Sequence, residues 1–132
     1  ELVLIDDYAH HPTEINALYQ AVTEMYPADK KVIVFQPHLF SRTRDFAEGF
    51  AESLSKFDEV FLLDIYPARE EPIEGVTSKW LLDIMNCNGK LIDKSEIASA
   101  LKKADCRIKL IVGAGDIGAE VENVTKVLSD EN

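Results

Sequence analysis

The sequence predicts an α/β fold with a mainly parallel sheet flanked by helices. Five short aliphatic runs alternate along the chain with segments whose apolar residues recur at helical spacing. The runs are apolar almost throughout, as expected for parallel strands that are buried on both faces. A length of 132 residues is enough for one domain with its own core. We therefore expect a single Rossmann-like domain spanning residues 1–132.

The predicted strands are aliphatic runs that are too short for typical helices: 2–5, 32–35, 59–63, 89–92 and 108–112. The run at 89–92 is the weakest of them. A polar turn, 36–44, follows the second strand, and a long connection, 64–77, follows the third. Long connections in compact domains are usually functional or mobile, and we expect this one to be mobile.

The predicted helices have amphipathic patterns and recognisable starts. Pro12 suits the first position of a helix, where the missing N–H would have had no partner. A second helix includes residues 46–54, and Ser78 is expected to cap a short third helix. Asp93 and Glu96 form a sequence that resembles a capping box, which predicts the start of a fourth helix.

The composition argues against several classes of function. A formal net charge of −10 argues against a nucleic-acid partner and against an anionic membrane surface. No apolar run is long enough to span a bilayer and no signal peptide precedes the first strand, so we expect a cytoplasmic protein. Cys87 and Cys106 lack metal-type spacing and are expected to be reduced, partly buried thiols. The chain starts beside a strand without Met, so we expect it to be a piece of a longer polypeptide.

Chemically active side chains are concentrated in the turns that follow the first three strands. They are the three histidines and three of the four arginines: His10, His11, His38, Arg42, Arg44 and Arg69. Ligands of open α/β sheets bind outside the carboxyl ends of the strands, so we expect a cationic rim there. Guanidinium groups suit carboxylate or phosphate partners. The second turn is within reach of the first if their strands are neighbours. Any single residue of the set can also be an ordinary solvated loop residue without a function.

Asp6 and Asp7 directly follow the first predicted strand and have two open interpretations. They can bond a ribose hydroxyl or orient a metal-bound nucleotide, or they can cap the following helix. A zinc site built from three histidines and an aspartate is a weaker alternative. Neighbouring His10 and His11 are expected to point apart, and no flanking spacing supports zinc. We therefore predict no metal site in this chain.

The turn 113–118 matches the pattern G-x-G-x-x-G and precedes a final predicted helix. The match is weak evidence for a dinucleotide site, because it follows the last strand and no acidic residue closes a following unit. A tight turn that leads the chain into the last helix is the alternative, although a helix N-terminus there would still attract an anion. The phosphate-loop pattern G-x-x-x-x-G-K-S/T is absent, so we expect no triphosphate cradle of that type.

Four motifs at these turns resemble the C-terminal domain of the Mur ligase family. They are DDYAHHPTE at 6–14, QPHLFSRTR at 36–44, DIYPAR at 64–69 with GVTS at 75–78, and VGAGDIG at 112–118. The resemblance covers essentially the whole chain. It implies one part of a three-domain ligase of peptidoglycan synthesis, in which residues 1–132 are the amino-acid-binding domain that closes over the site. The N-terminal UDP-sugar domain and the central ATPase domain would lie outside this chain.

The resemblance implies that the full-length protein joins L-alanine to UDP-N-acetylmuramate. ATP, with Mg²⁺ bound mainly by the central domain, would convert the muramyl carboxylate into an acyl phosphate, which the amine of L-alanine then attacks. The C-terminal domain would contribute the amino-acid pocket and part of the ATP site. Because the chain itself lacks a phosphate loop, we expect it to fold alone and to catalyse nothing.

The resemblance also implies roles for residues of the first turn. Asp7, with Asp6 beside it, corresponds to the family aspartate that contacts the nucleotide ribose. Tyr8 and His10 correspond to residues that surround the alanine and the acyl phosphate. His10 is expected to take part in catalysis and Tyr8 in substrate binding.

Residues of the second and third turns are implied in amino-acid recognition. His38, Arg42 and Arg44 resemble the residues that hold the carboxylate of the amino acid, and His38 is also a candidate catalytic group. Arg69 lies where a related ligase places an arginine for its own amino acid. Leu39 is a departure, because some members of the family have arginine there.

Two alternatives stay open. One is a member of the same family that recycles murein peptides and joins a whole tripeptide. Its first motif tends to have Phe in place of Tyr8 and to lack Glu14, so both residues favour alanine. The other is a free-standing nucleotide- or anion-binding α/β module without catalysis.

Overall fold

The computed structural model describes residues 2–129 and confirms the α/β fold with a parallel sheet and flanking helices. The strands are β1 Val3–Asp7, β2 Lys31–Phe35, β3 Glu59–Leu62, β4 Gly89–Leu91 and β5 Ile108–Val112. The helices are α1 Pro12–Met25, α2 Phe40–Asp45, α3 Ala47–Leu54, α4 Ser78–Ile84, α5 Ile97–Lys103 and α6 Val121–Ser129. Short 3₁₀ helices span Lys94–Glu96 and Asp116–Glu120.

The five strands form one sheet in the order β1-β5-β2-β3-β4, and every neighbouring pair is parallel. The register aligns the last residues of the strands in one row across the sheet: Asp7, Val112, Phe35, Leu62 and Leu91. β1 and β2 are therefore not neighbours, because β5 lies between them. All five carboxyl ends nevertheless reach the same edge, where the turns that follow them are collected.

The hydrophobic core consists of two clusters, one on each face of the sheet. Residues of α1, α3 and α4 pack on one face, and residues of α5 and α6 pack on the other. β2 serves both clusters, because Ile33 and Phe35 belong to the first and Val32 and Val34 to the second. All four are fully buried, and each contributes roughly 1.5–3 kcal/mol of hydrophobic stabilisation. Burial on both faces explains why the strand sequences are continuously apolar.

This distribution of helices creates a topological switch beside β5. The chain leaves β1 and β2 toward helices on the first face, and it leaves β5 toward α6 on the second face. Adjacent turns therefore separate in opposite directions at the carboxyl edge, which opens a crevice between them. The crevice is where the polar turns of this chain meet.

Two strand-borne lysines are buried and stabilise the ends of helices. Lys31 and Lys109 are 4% and 2% exposed. The Nζ atom of Lys31 donates to the carbonyl oxygen of Tyr26, the C-cap residue of α1, at 3.4 Å and to that of Asp29 at 2.9 Å. The Nζ atom of Lys109 donates to the carbonyl oxygen of Ala104 at 3.0 Å. Ala104 caps α5, and carbonyl groups at helix C-termini attract cations. These contacts offset the cost of removing the two charges from water.

The predicted polar turn 36–44 contains a helix that the sequence pattern does not reveal. α2 ends at Asp45, the backbone breaks at Phe46, and α3 then starts at Ala47. Phe46 is 43% exposed rather than part of the core. The prediction of one helix over 46–54 was therefore wrong at its start. The six residues of α2 are mostly polar, so they carry no apolar period that would indicate a helix.

Of the two helix starts predicted from capping residues, one was wrong and one is confirmed. Thr77, not Ser78, caps α4, because Thr77 Oγ1 accepts a hydrogen bond from Trp80 N at 3.0 Å. The buried hydroxyl of Ser78 instead donates to the carbonyl oxygen of Leu63 and ties α4 to the end of β3. The capping box of Asp93 and Glu96 is confirmed, although it begins a 3₁₀ turn that leads into α5.

The cap of α1 is His11, whose Nδ1 accepts a hydrogen bond from Thr13 N at 3.2 Å. Asp6 and Asp7 do not cap this helix, because both belong to β1. The helix-cap interpretation of these aspartates was therefore wrong. β1 extends two residues beyond the predicted end of the strand, which places both carboxylates on the sheet itself.

Candidate functional site

Four ring side chains form a continuous row across the carboxyl edge of the sheet. The centroids of Tyr8 and His10 are 6.2 Å apart, those of His10 and His38 are 6.2 Å apart, and those of His38 and Tyr66 are 5.5 Å apart. The row joins the turns after β1, β2 and β3. These turns meet although β5 separates β1 from β2, so the first two turns come within reach of each other without their strands being neighbours.

The environment of His10 determines which of its ring nitrogens is free. His10 Nδ1 lies 3.0 Å from the carbonyl oxygen of Tyr8 and 3.5 Å from Glu14 Oε1. Because a carbonyl oxygen can only accept, Nδ1 carries the proton when this hydrogen bond forms. In the neutral ring Nε2 then has the lone pair. The backbone N–H of His10 also donates to Glu14 at 2.9 Å, which lowers the pKa of that carboxyl and keeps it ionised.

His38 is half-buried, and its Nδ1 is buried without a hydrogen-bond partner in the part of the chain that the structure describes. Burial lowers the pKa of His38, and the electrostatic effect of the nearby Arg42 and His10 lowers it further. The ring is therefore neutral at pH 7. A buried polar atom without a partner is rare and marks a place where a ligand, a water or another protein group is expected.

The three candidate arginines have different surroundings. Arg42 is half-buried on α2, and its side chain forms no hydrogen bond or ion pair within residues 2–129. Arg44 is exposed, and its Nε donates to Asp45 Oδ1 at 2.8 Å. Arg69 is exposed on the connection after β3, also without an ion pair to any described residue. Arg42 therefore has a free guanidinium beside His38, whereas the guanidinium of Arg44 is already engaged.

The turn before α2 is held in an uncommon backbone conformation. Leu39 has φ +76°, in the region that favours glycine, and such a residue costs roughly 1–3 kcal/mol. Its N–H donates to the carbonyl oxygen of Tyr66 at 2.8 Å, and Tyr66 N donates to the carbonyl oxygen of Pro37 at 2.8 Å. These two bonds tie the turn after β2 to the connection after β3. These hydrogen bonds fix the point at which the chain enters α2, and they thereby help to fix the position of Arg42.

Asp6 and Asp7 do not act as a pair. Side chains of successive strand residues point to opposite faces, and Asp6 is exposed whereas Asp7 is half-buried. Asp7 Oδ1 accepts a hydrogen bond from Ala9 N at 2.9 Å, and the carbonyl oxygen of Asp7 accepts one from Gly113 N at 3.1 Å. The second carboxylate oxygen of Asp7 has no bond to a described residue. It can therefore accept a hydrogen bond from a ligand hydroxyl.

The glycine-rich turn after β5 packs tightly against Gln36. This side chain is 3% exposed, donates to Asp116 Oδ1 at 2.7 Å and accepts from Ile117 N at 3.1 Å. A Cβ atom on Gly115 would lie 2.5 Å from Gln36 Oε1 and 2.6 Å from Tyr66 Cγ. Close packing accounts for this glycine, which supports the tight-turn interpretation of the G-x-G-x-x-G match.

Asp116 gives the same turn a negative charge. The hydrogen bond from Gln36 and the ion pair with Lys94, 2.5 Å long, lower the pKa of Asp116. An ionised carboxylate at the start of the 3₁₀ helix disfavours a phosphate there. Beside it lies a cleft of about 320 Å³ at the carboxyl ends of β2, β3 and β4. Its lining is mixed polar and apolar: Gln36, Leu63, Asp64, Ile65, Tyr66, Pro67, Ile92, Asp93, Lys94 and Asp116.

Within residues 2–129, no three or more His, Cys, Asp or Glu side chains are arranged to hold a metal ion. His10 faces His38, whereas the ring of His11 packs on Phe46 with centroids 4.6 Å apart. The two neighbouring histidines therefore point in different directions. No helix in the described part of the chain is long and apolar enough to cross a membrane.

Sequence reasoning missed three residues that organise this site: Gln36, Tyr66 and Glu70. Gln36 contacts a residue 80 positions away, and Glu70 contacts Ser41, 29 positions away. Neither pairing leaves a local pattern in the sequence. The one signal that the sequence offers is that all three lie in the polar turns after β2 and β3.

Comparison with known proteins gives consistent matches. A family model described as "Mur ligase, glutamate ligase domain" matches residues 1–121. The UDP-N-acetylmuramate–L-alanine ligase of Flavobacterium johnsoniae is 63% identical over 131 residues. That match covers 98% of this chain and 29% of the relative, so the chain spans less than a third of the relative's length.

Two solved structures have the same fold over nearly the whole chain. The UDP-N-acetylmuramate-alanine ligase of Thermotoga maritima superposes with a TM-score of 0.73 and 25% identity, covering 98% of this chain and 27% of that one. A murein peptide ligase of Psychrobacter arcticus superposes with a TM-score of 0.77 and 16% identity, covering 99% of this chain and 28% of that one. At 16% identity the second match is evidence for the fold alone.

Proposed function

The chain belongs to the Mur ligase family, and from this premise we propose that it is the amino-acid-binding, closing C-terminal domain of an ATP-dependent ligase. The full-length enzyme would join L-alanine to UDP-N-acetylmuramate in peptidoglycan synthesis. A relative of that name with 63% identity supports the assignment. Because the chain spans 29% of that relative, the remaining substrates are expected to be held mainly by the N-terminal and central domains.

The observation that carries the proposal is the pairing of a free guanidinium with an unpartnered imidazole at the switch point. Arg42 has no anionic partner within the described residues, and the buried Nδ1 of the neighbouring His38 has no hydrogen bond. Alanine offers one carboxylate and one amine within a few ångströms of each other. Arg42 would hold the carboxylate with two parallel hydrogen bonds, which places the amine among the rings of the row.

The histidines of the row are suited to handling the proton of the amine. Alanine binds as an ammonium ion and must lose a proton before its nitrogen can attack an acyl group. His38 is neutral because of burial and nearby positive charge, and His10 has a free Nε2. Either imidazole can accept that proton, which makes both candidate catalytic groups. Tyr8, 72% exposed, would form the outer wall of the amino-acid pocket.

Arg44 and Arg69 are proposed as outer substrate-binding residues. Both are exposed at the same carboxyl edge, on α2 and on the connection after β3. Arg44 is engaged with Asp45, so its share in holding the carboxylate is expected to be smaller than that of Arg42. The side chain of Arg69 has no partner within the described residues, so it is available to a substrate.

The ribose of ATP is the part of the nucleotide that would contact this domain. The free carboxylate oxygen of Asp7 suits a hydroxyl donor, while Asp6 is exposed on the other face of the strand. Mg²⁺ is proposed to be bound mainly by the central domain, since residues 2–129 contain no suitable ligand group. The use of ATP and a UDP-sugar supports a cytoplasmic location.

The competing substrate is a murein tripeptide in place of alanine. The fold is equally compatible with both, because the murein peptide ligase of Psychrobacter arcticus has the same domain at 16% identity. Tyr8 and Glu14, together with the names of the 63% identical relative and others like it, favour alanine.

The proposal is tested with the purified full-length protein. ATP-dependent phosphate release is measured with UDP-N-acetylmuramate and either L-alanine or the tripeptide L-Ala-γ-D-Glu-meso-diaminopimelate. We expect the kcat/KM for alanine to exceed that for the tripeptide by more than about 100-fold, the scale of one fully used recognition contact. A preference for the tripeptide would assign the recycling reaction instead, and no turnover with either would refute a ligase.

A further inference from the structure

We propose that Glu70 is a positioning residue for amino-acid binding: its carboxylate fixes the first turn of α2 and thereby the location of Arg42. This inference rests on the proposed function, because it gives a role to a residue outside the amino-acid pocket. Glu70 lies on the connection after β3, next to the candidate Arg69.

Glu70 binds the start of α2 with both carboxylate oxygens. Ser41 N donates to Glu70 Oε1 at 3.0 Å, and the hydroxyl of Ser41 donates to Glu70 Oε2. Together these bonds lower the pKa of Glu70, so the carboxylate is ionised at neutral pH. A charged acceptor makes each of these hydrogen bonds stronger than a neutral one would be.

α2 depends on such an external cap because it has none of its own. The helix has six residues, its N-cap residue Leu39 makes no side-chain capping bond, and its first turn contains no acidic residue. Helices of this length are marginal in isolation, and their first N–H groups need partners. Leu39 also holds a strained backbone with φ +76°. Within α2, the N–H and hydroxyl of Thr43 bond the carbonyl oxygen of Leu39, but the N–H of Ser41 at the start of the helix has its partner in Glu70. Loss of Glu70 is therefore expected to loosen the first turn and, with it, Arg42.

The segment that carries Glu70 is itself anchored to the turn after β2. Tyr66 exchanges backbone hydrogen bonds with Pro37 and Leu39, both 2.8 Å long, and its ring packs on His38. Glu70 N then donates to the carbonyl oxygen of Pro67 at 2.8 Å, which closes a turn below the carboxylate. The connection and α2 are thus joined at two points. A displacement of one would displace the other.

Removal of the Glu70 carboxylate would change alanine binding in opposite directions if its role were purely electrostatic or if it positioned Arg42. The carboxylate contributes negative charge near His38 and Arg44. Removing that charge alone would favour the binding of another carboxylate, such as that of alanine. Removing a positioning contact would weaken binding, because Arg42 would no longer be held at the site. The sign of the change therefore distinguishes the two roles.

The test compares Glu70→Ala and Glu70→Gln with the matched control Glu71→Ala in the full-length enzyme. Glu71 is the exposed neighbour and makes no hydrogen bond to a described residue. We expect Glu70→Ala to raise the alanine KM about 10- to 100-fold, the range for misplacement of a binding group. The alanine KM of Glu70→Gln should lie between those of the wild type and Glu70→Ala, because the amide oxygen of glutamine can still accept a hydrogen bond from Ser41 N. Glu71→Ala should leave the alanine KM unchanged. The KM for UDP-N-acetylmuramate should be unchanged in all three variants.

A double-mutant cycle shows whether Glu70 acts through Arg42. In an Arg42→Ala background, Glu70→Ala should cause little further loss, because the group it positions is gone. Full additivity of the two losses would overturn the inference. So would an unchanged or lowered alanine KM in Glu70→Ala, or a fall in kcat alone with every KM preserved, which indicates partial unfolding.

Hydrogen exchange separates failure of this inference from failure of the proposed function. In the full-length protein, the peptide covering residues 40–45 should exchange faster in Glu70→Ala than in Glu71→Ala. A wild-type enzyme that does not use alanine would refute the proposed function, and unchanged exchange at 40–45 would refute the positioning contact. Either result is obtained independently of the other.

Discussion

His38 shows how a single residue is adjusted by its surroundings. Burial lowers its pKa, and the nearby Arg42 and His10 add to the effect, while Glu70 opposes it. Folding thus holds the pKa below the ordinary value of 6.5. The unfolded chain binds more protons than the folded one between the lowered pKa and 6.5. The free energy of unfolding is therefore higher above pH 6.5, and it decreases as the pH falls from 6.5 to the lowered pKa of His38.

We predict that NMR titration of His38 in this chain gives a midpoint below 6.5, and that Arg42→Ala raises it. The physical reason is that the guanidinium disfavours a second positive charge nearby. The matched control is Arg107→Ala, at the opposite end of β5, which should leave the midpoint of His38 unchanged. An unchanged midpoint in Arg42→Ala would mean that Arg42 points away from the site.

Arg42 is also the residue for which we predict the largest loss in alanine binding. In the full-length enzyme, Arg42→Ala should lower kcat/KM for alanine roughly 30- to 1000-fold, corresponding to a lost charge-assisted contact of about 2–4 kcal/mol. Arg42→Lys should recover only part of it, because lysine cannot bind a carboxylate in two places at once. The measurement is steady-state kinetics with each substrate varied in turn.

Arg44→Ala is the comparison for Arg42→Ala on the same helix. Arg44 is exposed and bonded to Asp45, so we expect a smaller change in the alanine KM. The KM for UDP-N-acetylmuramate should stay near the wild-type value in both variants. Equal losses in the two arginine variants would show that the carboxylate is held by a diffuse cationic surface instead.

At the scale of elements, the glycine-rich turn after β5 gives a prediction about stability. Gly115→Ala would place a Cβ atom 2.5 Å from Gln36 Oε1 and 2.6 Å from Tyr66 Cγ, so both side chains or the turn itself must move. We expect the free energy of unfolding to fall by about 1–3 kcal/mol, as for other overpacked sites. Gly118→Ala is the control, because nothing lies within 4 Å of its Cβ position.

Chemical denaturation of both glycine variants measures this difference. Gly118→Ala should change the free energy of unfolding by less than about 0.5 kcal/mol. If Gly115→Ala were equally harmless, the turn would not pack on Gln36 as described. The glycines would then be needed for another reason, such as the approach of a ligand to the backbone.

The connection 64–77 is not uniform, and we predict two rates of hydrogen exchange within it. Tyr66 N and Glu70 N donate to backbone carbonyl oxygens, and the Glu70 side chain binds Ser41, so the amides of Tyr66 and Glu70 should exchange slowly. Residues 71–75 are mostly exposed and should exchange faster. The expected mobility is thereby limited to the tip of the connection. Equal rates along residues 66–75 would contradict this division.

At the scale of the whole molecule, we predict that this chain folds alone and hydrolyses no ATP. Both core clusters are completed by residues of the chain itself, and the phosphate-loop pattern is absent. Urea unfolding should therefore be a single cooperative transition, as is usual for one domain of this size. Phosphate release from ATP should stay at background. Turnover above background would show that the chain holds the nucleotide phosphates itself.

The sequence alone determined the five strands, most of the helices and the edge of the sheet at which the polar turns collect. Continuous aliphatic runs such as 32–35 and 108–112 must be buried on both faces, which requires helices on both sides of a parallel sheet. That arrangement collects the polar turns at one edge, so the candidates Asp7, His10 and His38 could be named before any coordinates. Periodicity and turn chemistry are local properties, so their effect on secondary structure does not depend on which distant segments come into contact.

Tertiary structure alone decided which distant segments meet. No local pattern shows that β5 separates β1 from β2, that α2 exists, or that Glu70 caps it from 29 residues away. The contact of Gln36 with Asp116 spans 80 residues and is equally hidden. Such pairings follow from the packing free energy of the complete fold, because a short polar helix or an orphaned N–H group is stabilised only by whatever the rest of the chain brings to it.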